Sequence, residues 1–482
     1  MSRPLQDRLA QLRRGASEGV GPPASEDQTP APGVRSAVAR PRDQASSAAG
    51  ELERLERALT GEIGEGLSLK ERLERLVSVA ARGRPRAAEP VPSRRPVPIE
   101  ELIQGQRVTN QRGEFFLVEG DVHLDFRHGQ VSLSRFQTVS PESPFILTGD
   151  REFESFDISR AVFLDTETTG LAGGTGTAAF LVGVGFVDGD RFCLRQYFMR
   201  DYHEEAALLR GLAEDLHGFR HLVTFNGRIF DIPLLEARYR LNRDRFPLGE
   251  ALHLDLLPPA RRLWKERLES CRLQTLENAL LGVVREGDVP GEDIPGIYFN
   301  YVRTRDGRAL ARVLDHNRID ILSLAALAAL ACQWVEDDFA DDPRDAYSLA
   351  RVFERVALHD RCEELYRRVL ESSPSAVRNA SLLRLADRAR RGGDLVRALA
   401  WWQEAADQGE WLGLRNLAVH HEHRSRDLGL ALRLVEQGLA GGEPSPPNGK
   451  ATADFRRRRE RLKRKLGGES AERRPGPRQP TG

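Results

Sequence analysis

The sequence predicts an α/β protein: a mixed sheet flanked by helices, followed by an all-helical repeat domain. Two observations support this prediction. Between residues 151 and 337, apolar strands first follow a hairpin pattern and then alternate with helices, which is the order of a mixed sheet covered by helices. From residue 343 onward only helical periodicity remains. The chain has 482 residues, which is too long for one compact core.

The composition of the first 98 residues predicts a disordered segment and a linker, with short amphipathic helices between them. Residues 1–50 are rich in Pro, Ala, Ser, Arg and Gly, so they bury too little apolar surface to offset the entropy of ordering. Leucines at helical spacing predict two short amphipathic helices, at Glu51–Leu59 and Leu67–Val79. A linker rich in Pro and Arg follows, from Arg82 to Pro98.

The sequence pattern of residues 99–150 predicts a small β-meander that leads into the sheet domain. Apolar and polar residues alternate from Arg107 to Phe136, around turn signals at Asn110–Gly113 and at His128-Gly129.

The sheet domain, residues 151–337, carries the strongest periodic signals. Apolar runs bounded by turns predict five strands, at Ala161–Leu164, Ala179–Val187, Arg191–Phe198, Leu222–Phe225 and Leu252–Leu256. Helical spacing predicts five helices, at Glu204–Leu216, Ile232–Leu241, Pro259–Leu268, Leu273–Leu280 and Arg308–Val335. Residues Val289–Tyr298, rich in Pro and Gly, predict a loop.

Three stretches between residues 343 and 445 resemble one another. They are Ala357–Glu371, Gly393–Asp407 and Arg426–Ala440. Each opens near an Asp, and their offset of about 33 to 36 residues is the period of tetratricopeptide-like (TPR-like) helix pairs. Residues 446–482 predict a basic disordered tail. Within it, Arg456–Lys465 is either a phosphate clamp or a solvated run.

Charge and cysteine content limit the class of protein. Lys+Arg and Asp+Glu each total 72, so any nucleic-acid partner must be met by local patches rather than by net charge. Four cysteines without a CxxC pair predict a reduced, cytoplasmic protein. The most apolar run, Ile321–Cys332, is too short to span a bilayer and the N-terminus lacks an apolar signal segment, so no membrane association is expected.

Asp165-Thr-Glu167-Thr-Thr-Gly170 is the most informative stretch. Alternation along a strand turns Asp165 and Glu167 to the same face, where two carboxylates repel each other unless a divalent cation lies between them. Gly170 and the glycines at 173, 174 and 176 allow a close backbone approach to a ligand. Alone, this triplet is equally compatible with a solvated strand end.

Two further acids complete a candidate set. Asp231 follows the turn Asn226-Gly227 and begins a predicted helix, so on its own it reads as a routine cap. Asp320 lies one helical turn after His316 and next to a buried run, where an acid needs an arginine or a metal as partner. On its own, this motif favours a helix ion pair of Asp320 with Arg312 or Arg318.

Together these motifs resemble the DEDD superfamily of 3′–5′ exonucleases, which have a ribonuclease H-like (RNase H-like) sheet. The pattern D-x-E-T-T-G starting at Asp165 matches its first motif, N-x3-F-D ending at Asp231 its second, and the segment His316–Asp320 its third. The chain most resembles the YprB-like family of bacterial predicted exonucleases, over about residues 100–335 and loosely over the repeats. One departure is that His316 stands where the branch with this spacing has Tyr.

The resemblance implies a two-metal nuclease. Asp165, Glu167, Asp231 and Asp320 would hold two divalent cations, Mg²⁺ or Mn²⁺, and His316 would orient or deprotonate the attacking water. Thr166, Gly170, Asn226 and Phe230 would bind the terminal nucleotide of DNA or RNA. The repeats are a possible site for a protein partner. Two other readings are open: a catalytically weak scaffold whose repeats bind a protein, and a structure-specific endonuclease.

Overall fold

The computed structural model describes residues 95–170, 176–372, 375–441 and 449–472. The predictions for residues 1–94 and for Gly173 and Gly174 lie outside these ranges.

Seven of the nine described strands form one mixed sheet. The nine strands are β1 (Gln106–Asn110), β2 (Gly113–His123), β3 (Arg127–His128), β4 (Val131–Ser132), β5 (Val162–Thr168), β6 (Ala179–Asp188), β7 (Arg191–Phe198), β8 (His221–Thr224) and β9 (Leu252–Asp255). The sheet order is β1-β2-β7-β6-β5-β8-β9, while β3 and β4 form a separate short hairpin. Strand β5 is antiparallel to β6 and parallel to β8, and β8 is parallel to β9. The predicted mixed sheet is confirmed.

The predicted lead-in meander differs from the structure. Strands β1 and β2 belong to the central sheet, because β2 pairs with β7 from Phe116 opposite Phe198 to His123 opposite Arg191. Burial of the adjacent Phe115 holds this hairpin on the same core as the sheet.

Helices cover both faces of the sheet. Those that precede the helical region are α1 (Ile99–Leu102), α2 (Ser143–Thr148), α3 (Glu205–Leu216), α4 (Asp231–Leu241), α5 (Leu257–Trp264), α6 (Leu273–Leu276), α7 (Ile294–Thr304) and α8 (Arg308–Asp337). A π-helical turn, Glu277–Leu281, continues α6. Helices α3, α4 and α7 build the apolar core on one face, and α2 and α5 build the core on the other.

Helix α8 passes from one core to the other. Its first turns, at Leu310, Val313 and Leu314, belong to the core with α3, and the turns from Ile321 onward belong to the core with α5. Among the described helices it alone is long and apolar enough to cross a membrane, but 72% of its most apolar stretch is buried inside the protein. Burial against the sheet accounts for this composition.

The prediction of a loop at residues 289–298 is wrong for its second half, because α7 begins at Ile294. Pro295 falls in the first turn, where its missing N–H costs nothing. Tyr298 is fully buried and stacks on Phe180 with ring centroids 4.1 Å apart, so tertiary packing overrides the Pro- and Gly-rich composition.

Only helices follow from residue 343 in the described chain. They are α9 (Pro343–Arg355), α10 (His359–Leu370), α11 (Ala376–Arg391), α12 (Leu395–Asp407), α13 (Trp411–His423), α14 (Leu428–Ala440) and α15 (Gly449–Glu472). Each packs against the next. The three similar stretches coincide with α10, α12 and α14, with one helix between each pair. Their TPR-like identity stays a prediction.

Part of the predicted disordered tail is ordered as α15. Ala451, Phe455 and Leu462 are buried, and together they form an apolar stripe at helical spacing that the arginines obscure in the sequence. Glu422 of α13 is buried and pairs with Arg458 at 3.2 Å and with Arg461 at 2.6 Å. These contacts hold the basic run of α15 against the helical region.

Candidate active site

Asp165 and Glu167 lie inside β5, because the strand continues to Thr168 instead of ending at Leu164 as predicted. Two residues apart, they share one face of the sheet. The register shifts between Glu167 and Thr168, where the β5–β6 pairing becomes irregular. Such irregularities redirect side chains next to functional sites.

Asp231 is the first residue of α4, beside the end of β5. The hydroxyl of Thr166 donates to its Oδ1. The turn before it is held by Asp255 at the end of β9, whose carboxylate accepts from the backbone N–H of Asn226 at 2.7 Å and of Arg228 at 3.3 Å. Asn226 has a φ of 65°, a left-handed conformation that Asn tolerates better than most residues.

Asp320 and His316 lie one turn apart on α8. Asp320 Oδ2 is 3.3 Å from His316 Nε2, and its Oδ1 accepts from the guanidinium of Arg285. His316 Nε2 is also 3.8 Å from Glu167 Oε1. The ligand atoms of Glu167, His316 and Asp320 all lie within 4.8 Å of one another.

Asp165 lies close enough to the other three predicted acids for their charges to affect its pKa. Burial, and then the charges of the other three acids, raise the pKa of Asp165 well above its ordinary range. Burial and the charge of Asp320 raise the pKa of Glu167 to about 8. Burial raises the pKa of Asp231 to about 6, although the hydrogen bond from Thr166 opposes the shift. The structure therefore brings together carboxylates from a strand, a helix start and a long helix.

For the pKa of His316, neighbouring charges outweigh the effect of burial. Burial disfavours the charged imidazole, but the hydrogen bond and charge of Asp320, with further help from Glu167 and Asp288, raise the pKa of His316 to about 9. The imidazole therefore carries positive charge at neutral pH when the carboxylates around it are ionised and no other cation is present.

Comparison with known proteins gives two matches for this chain. A family model described as the RNase H superfamily matches residues 162–332. The chain is 32% identical over 365 residues to "Uncharacterized protein YprB" of Bacillus subtilis (strain 168), a match that covers 73% of this chain and 86% of that protein. This chain belongs to the YprB family. Its RNase H superfamily domain contains all four acids and His316.

The donor set of this YprB-family chain fits divalent cations. RNase H-like nucleases generally use such ions. Carboxylate oxygens are the donors that hard cations prefer, and four carboxylates are a costly arrangement without positive charge between them. Among the described residues, Arg285 is the only arginine that forms an ion pair with any of the four, and it reaches only Asp320. Asp165, Glu167 and Asp231 have no arginine or lysine ion-pair partner in that part of the chain.

A buried amide network supports Asp165, and the sequence prediction did not include it. Asn317 Nδ2 donates to Asp165 Oδ2 at 2.9 Å, and Asn317 Oδ1 accepts from Gln196 Nε2 at 2.9 Å. Gly183 lies on β6 between Asp165 and Gln196, and a Cβ at this position would approach Asn317 Oδ1 to 2.2 Å. Asn317 could have been found as a polar residue in a predicted buried helix, on the face of Asp320. Gln196 and Gly183 give no such signal.

A charged cluster behind Asp320 was also missed. Arg285 pairs with Glu277 as well as with Asp320, and the exposed fractions of the Arg285 and Glu277 side chains are 4% and 0%. Asp288 Oδ1 lies 2.7 Å from His316 Nδ1. Arg285 and Asp288 lie between the π-turn and α7, where the sequence has no periodicity to indicate what they contact.

The four predicted substrate-binding residues differ in their exposure and in their contacts. Phe230 immediately precedes Asp231 and is 59% exposed, so its ring is free to stack on a base. Asn226 is half-buried on the same turn. Thr166 uses its hydroxyl to hold Asp231, and Gly170, the last described residue before the gap at 171–175, is half-buried. Their contact with substrate stays a prediction.

Proposed function

We propose that this chain is a metal-dependent 3′–5′ exonuclease that hydrolyses phosphodiester bonds of DNA or RNA and releases 5′-mononucleotides. One observation carries the proposal: within a domain of the RNase H superfamily, a strand, a helix start and a long helix bring four carboxylates together, and the charges of the other three raise the pKa of Asp165. A scaffold has no need for such mutually repelling acids.

Asp165, Glu167, Asp231 and Asp320 hold two divalent ions, Mg²⁺ or Mn²⁺, in this proposal. When bound, such ions neutralise phosphate charge and lower the pKa of the attacking water. His316 faces Glu167 and Asp320 through Nε2, where it orients the water or takes its proton. Phe230 stacks on the terminal base, and Asn317 keeps Asp165 in place.

The test uses single-stranded DNA and RNA with Mg²⁺, Mn²⁺ or EDTA, labelled at the 5′ end to follow shortening and, in a parallel reaction, on the 3′-terminal nucleotide to follow its release. We expect ladders that shorten from the 3′ end, with mononucleotide products, and no cleavage in EDTA. Asp165→Asn should abolish the ladder. Asp188→Asn is the matched control, because Asp188 is an exposed acid at the end of the neighbouring strand β6.

Two results would contradict the proposal. Cleavage that persists in EDTA would reject the role of metal. Internal cuts without mononucleotide release would indicate an endonuclease on the same fold.

A further inference from the structure

The segment between the π-turn and α7 contacts one face of α8. Arg312, His316 and Asp320 are spaced four residues apart, so they share that face. Arg312 donates to the carbonyl oxygen of Asp288 at 3.3 Å. Asp320 accepts from Arg285, and His316 contacts the carboxylate of Asp288. The segment therefore reaches the proposed site through three consecutive turns of the helix.

The two ring nitrogens of His316 face different partners. Nδ1 is 2.7 Å from Asp288 Oδ1, while Nε2 is 3.3 Å from Asp320 Oδ2 and 3.8 Å from Glu167 Oε1. An ionised carboxylate only accepts hydrogen bonds, so Nδ1 carries a proton and donates it to Asp288. This bond fixes the ring plane and leaves Nε2 turned toward the acids.

Asp288 is itself held in place. The backbone N–H of Val289 donates to its Oδ1 at 2.8 Å, and Arg285 Nη1 lies 3.4 Å from its Oδ2. Arg285 is anchored in turn by the fully buried Glu277. The side chain of Asp288 is 16% exposed, so it is shielded from water that would compete for His316.

We propose that Asp288 is a positioning residue that acts through His316, holding the imidazole by Nδ1 so that Nε2 meets the attacking water beside Glu167 and Asp320. This inference rests on the proposed nuclease function. Asp288 contacts neither the substrate nor the reacting atoms in this scheme, and it acts on the site through the histidine.

The test is a double-mutant cycle in the full chain, with Asp288→Asn, His316→Gln and the double variant. Asn keeps the shape of Asp288 but removes its charge. Asp315→Asn is the matched control: Asp315 is the residue before His316, and its side chain is 58% exposed and paired with Arg318. Thermal melting checks that each variant folds.

We expect Asp288→Asn to lower kcat about 10- to 100-fold with KM little changed, the size of effect usual for partners that orient a histidine. His316→Gln should lower kcat by about 10² to 10⁴, as for loss of a general base. The double variant should be no slower than His316→Gln, and Asp315→Asn should match wild type. If Asp288→Asn costs the same in the His316→Gln background as in wild type, the inference is wrong.

An activity-independent readout separates this inference from the proposed function. In metal-free protein with ¹⁵N-labelled histidine, we expect a downfield Nδ1 proton that His316→Gln removes, Asp288→Asn shifts and Asp315→Asn leaves unchanged. A proton unaffected by Asp288→Asn would overturn the inference. A wild-type chain without nuclease activity would overturn the proposed function, and the imidazole signal would still decide whether Asp288 holds His316.

Discussion

At the residue scale, the proposed site opposes folding when no cation is present. Glu167 has a pKa of about 8 in the folded chain because it is buried beside Asp320, against an ordinary value of 4.5. Asp231 shows the same direction, with a pKa of about 6. Between the ordinary and the raised pKa values the folded state binds more protons than the unfolded state, so stability falls as pH rises through this window.

His316 adds to this dependence in the same direction. Its pKa is raised from 6.5 to about 9, because the carboxylates of Asp320, Glu167 and Asp288 outweigh the effect of burial. A raised histidine pKa contributes stability that is fully present below pH 6.5 and is lost as pH rises toward 9. Acids and histidine together make the metal-free chain less stable in mild alkali.

We therefore expect Glu167→Gln to stabilise the metal-free protein while abolishing nuclease activity, since it removes a buried repulsion and a proposed ligand. In EDTA, the wild-type Tm should fall between about pH 6 and pH 8. That of Glu167→Gln should fall less and lie higher at pH 8. Glu250→Gln, at an exposed position, is the control and should follow wild type. A lower Tm for Glu167→Gln at pH 8 would contradict this account.

At the scale of elements, β5, β6 and β7 leave a gap that α8 fills. Asp165 on β5 is opposite Gly183 on β6, and Gly183 is opposite Gln196 on β7. Asn317 of α8 enters above the glycine and hydrogen-bonds to both flanking side chains. The missing side chain at Gly183 is thus what lets the helix approach the strand that carries the acids.

Gly183→Ala should destabilise the protein by about 1–3 kcal/mol, the usual cost of overpacking a core. It should also lower nuclease activity, because displacement of Asn317 leaves Asp165 without its amide partner. Gly120→Ala on β2 is the matched control, since a Cβ there meets nothing within 4 Å. Urea denaturation measures the stability of both variants. Equal stability of the two variants would show that the sheet adapts to the added methyl group.

At the scale of the whole molecule, the sheet domain and the first helices of the helical region share a core. Trp334 of α8 and Tyr347 and Phe353 of α9 belong to one apolar cluster. Arg267, after α5, pairs with Asp345 of α9 at 2.6 Å. The later helices, from the end of α11 to α15, have an apolar cluster of their own. The change to an all-helical pattern near residue 343 is therefore not a break in packing.

Shortened chains test this division. A chain that ends at Ala340 loses α9 and exposes the apolar surface around Trp334, so we expect aggregation or a broad, low-temperature melt. A chain that ends at Gly392 keeps α9 to α11 and should retain a cooperative melt and nuclease activity. If the shorter chain melts like the longer one, the two regions fold independently.

The sequence by itself determined the fold class and predicted the composition of the acidic set. Strands β5 to β9, and helices such as α3 and α8, were predictable because their apolar periodicity reflects burial on one face or on both. Asp165, Glu167, Asp231 and Asp320 were recognisable because each follows or occupies such an element in a fixed order.

Only the tertiary structure decided what surrounds those acids. Arg285 and Asp288 lie in an irregular segment, and their partners His316 and Asp320 are about 30 residues away, so no local pattern links them. The contact of Asn317 with Asp165 joins residues 152 positions apart. Helices α7 and α15 form because buried aromatic side chains outweigh local composition, and such burial depends on partners that the local sequence does not contain.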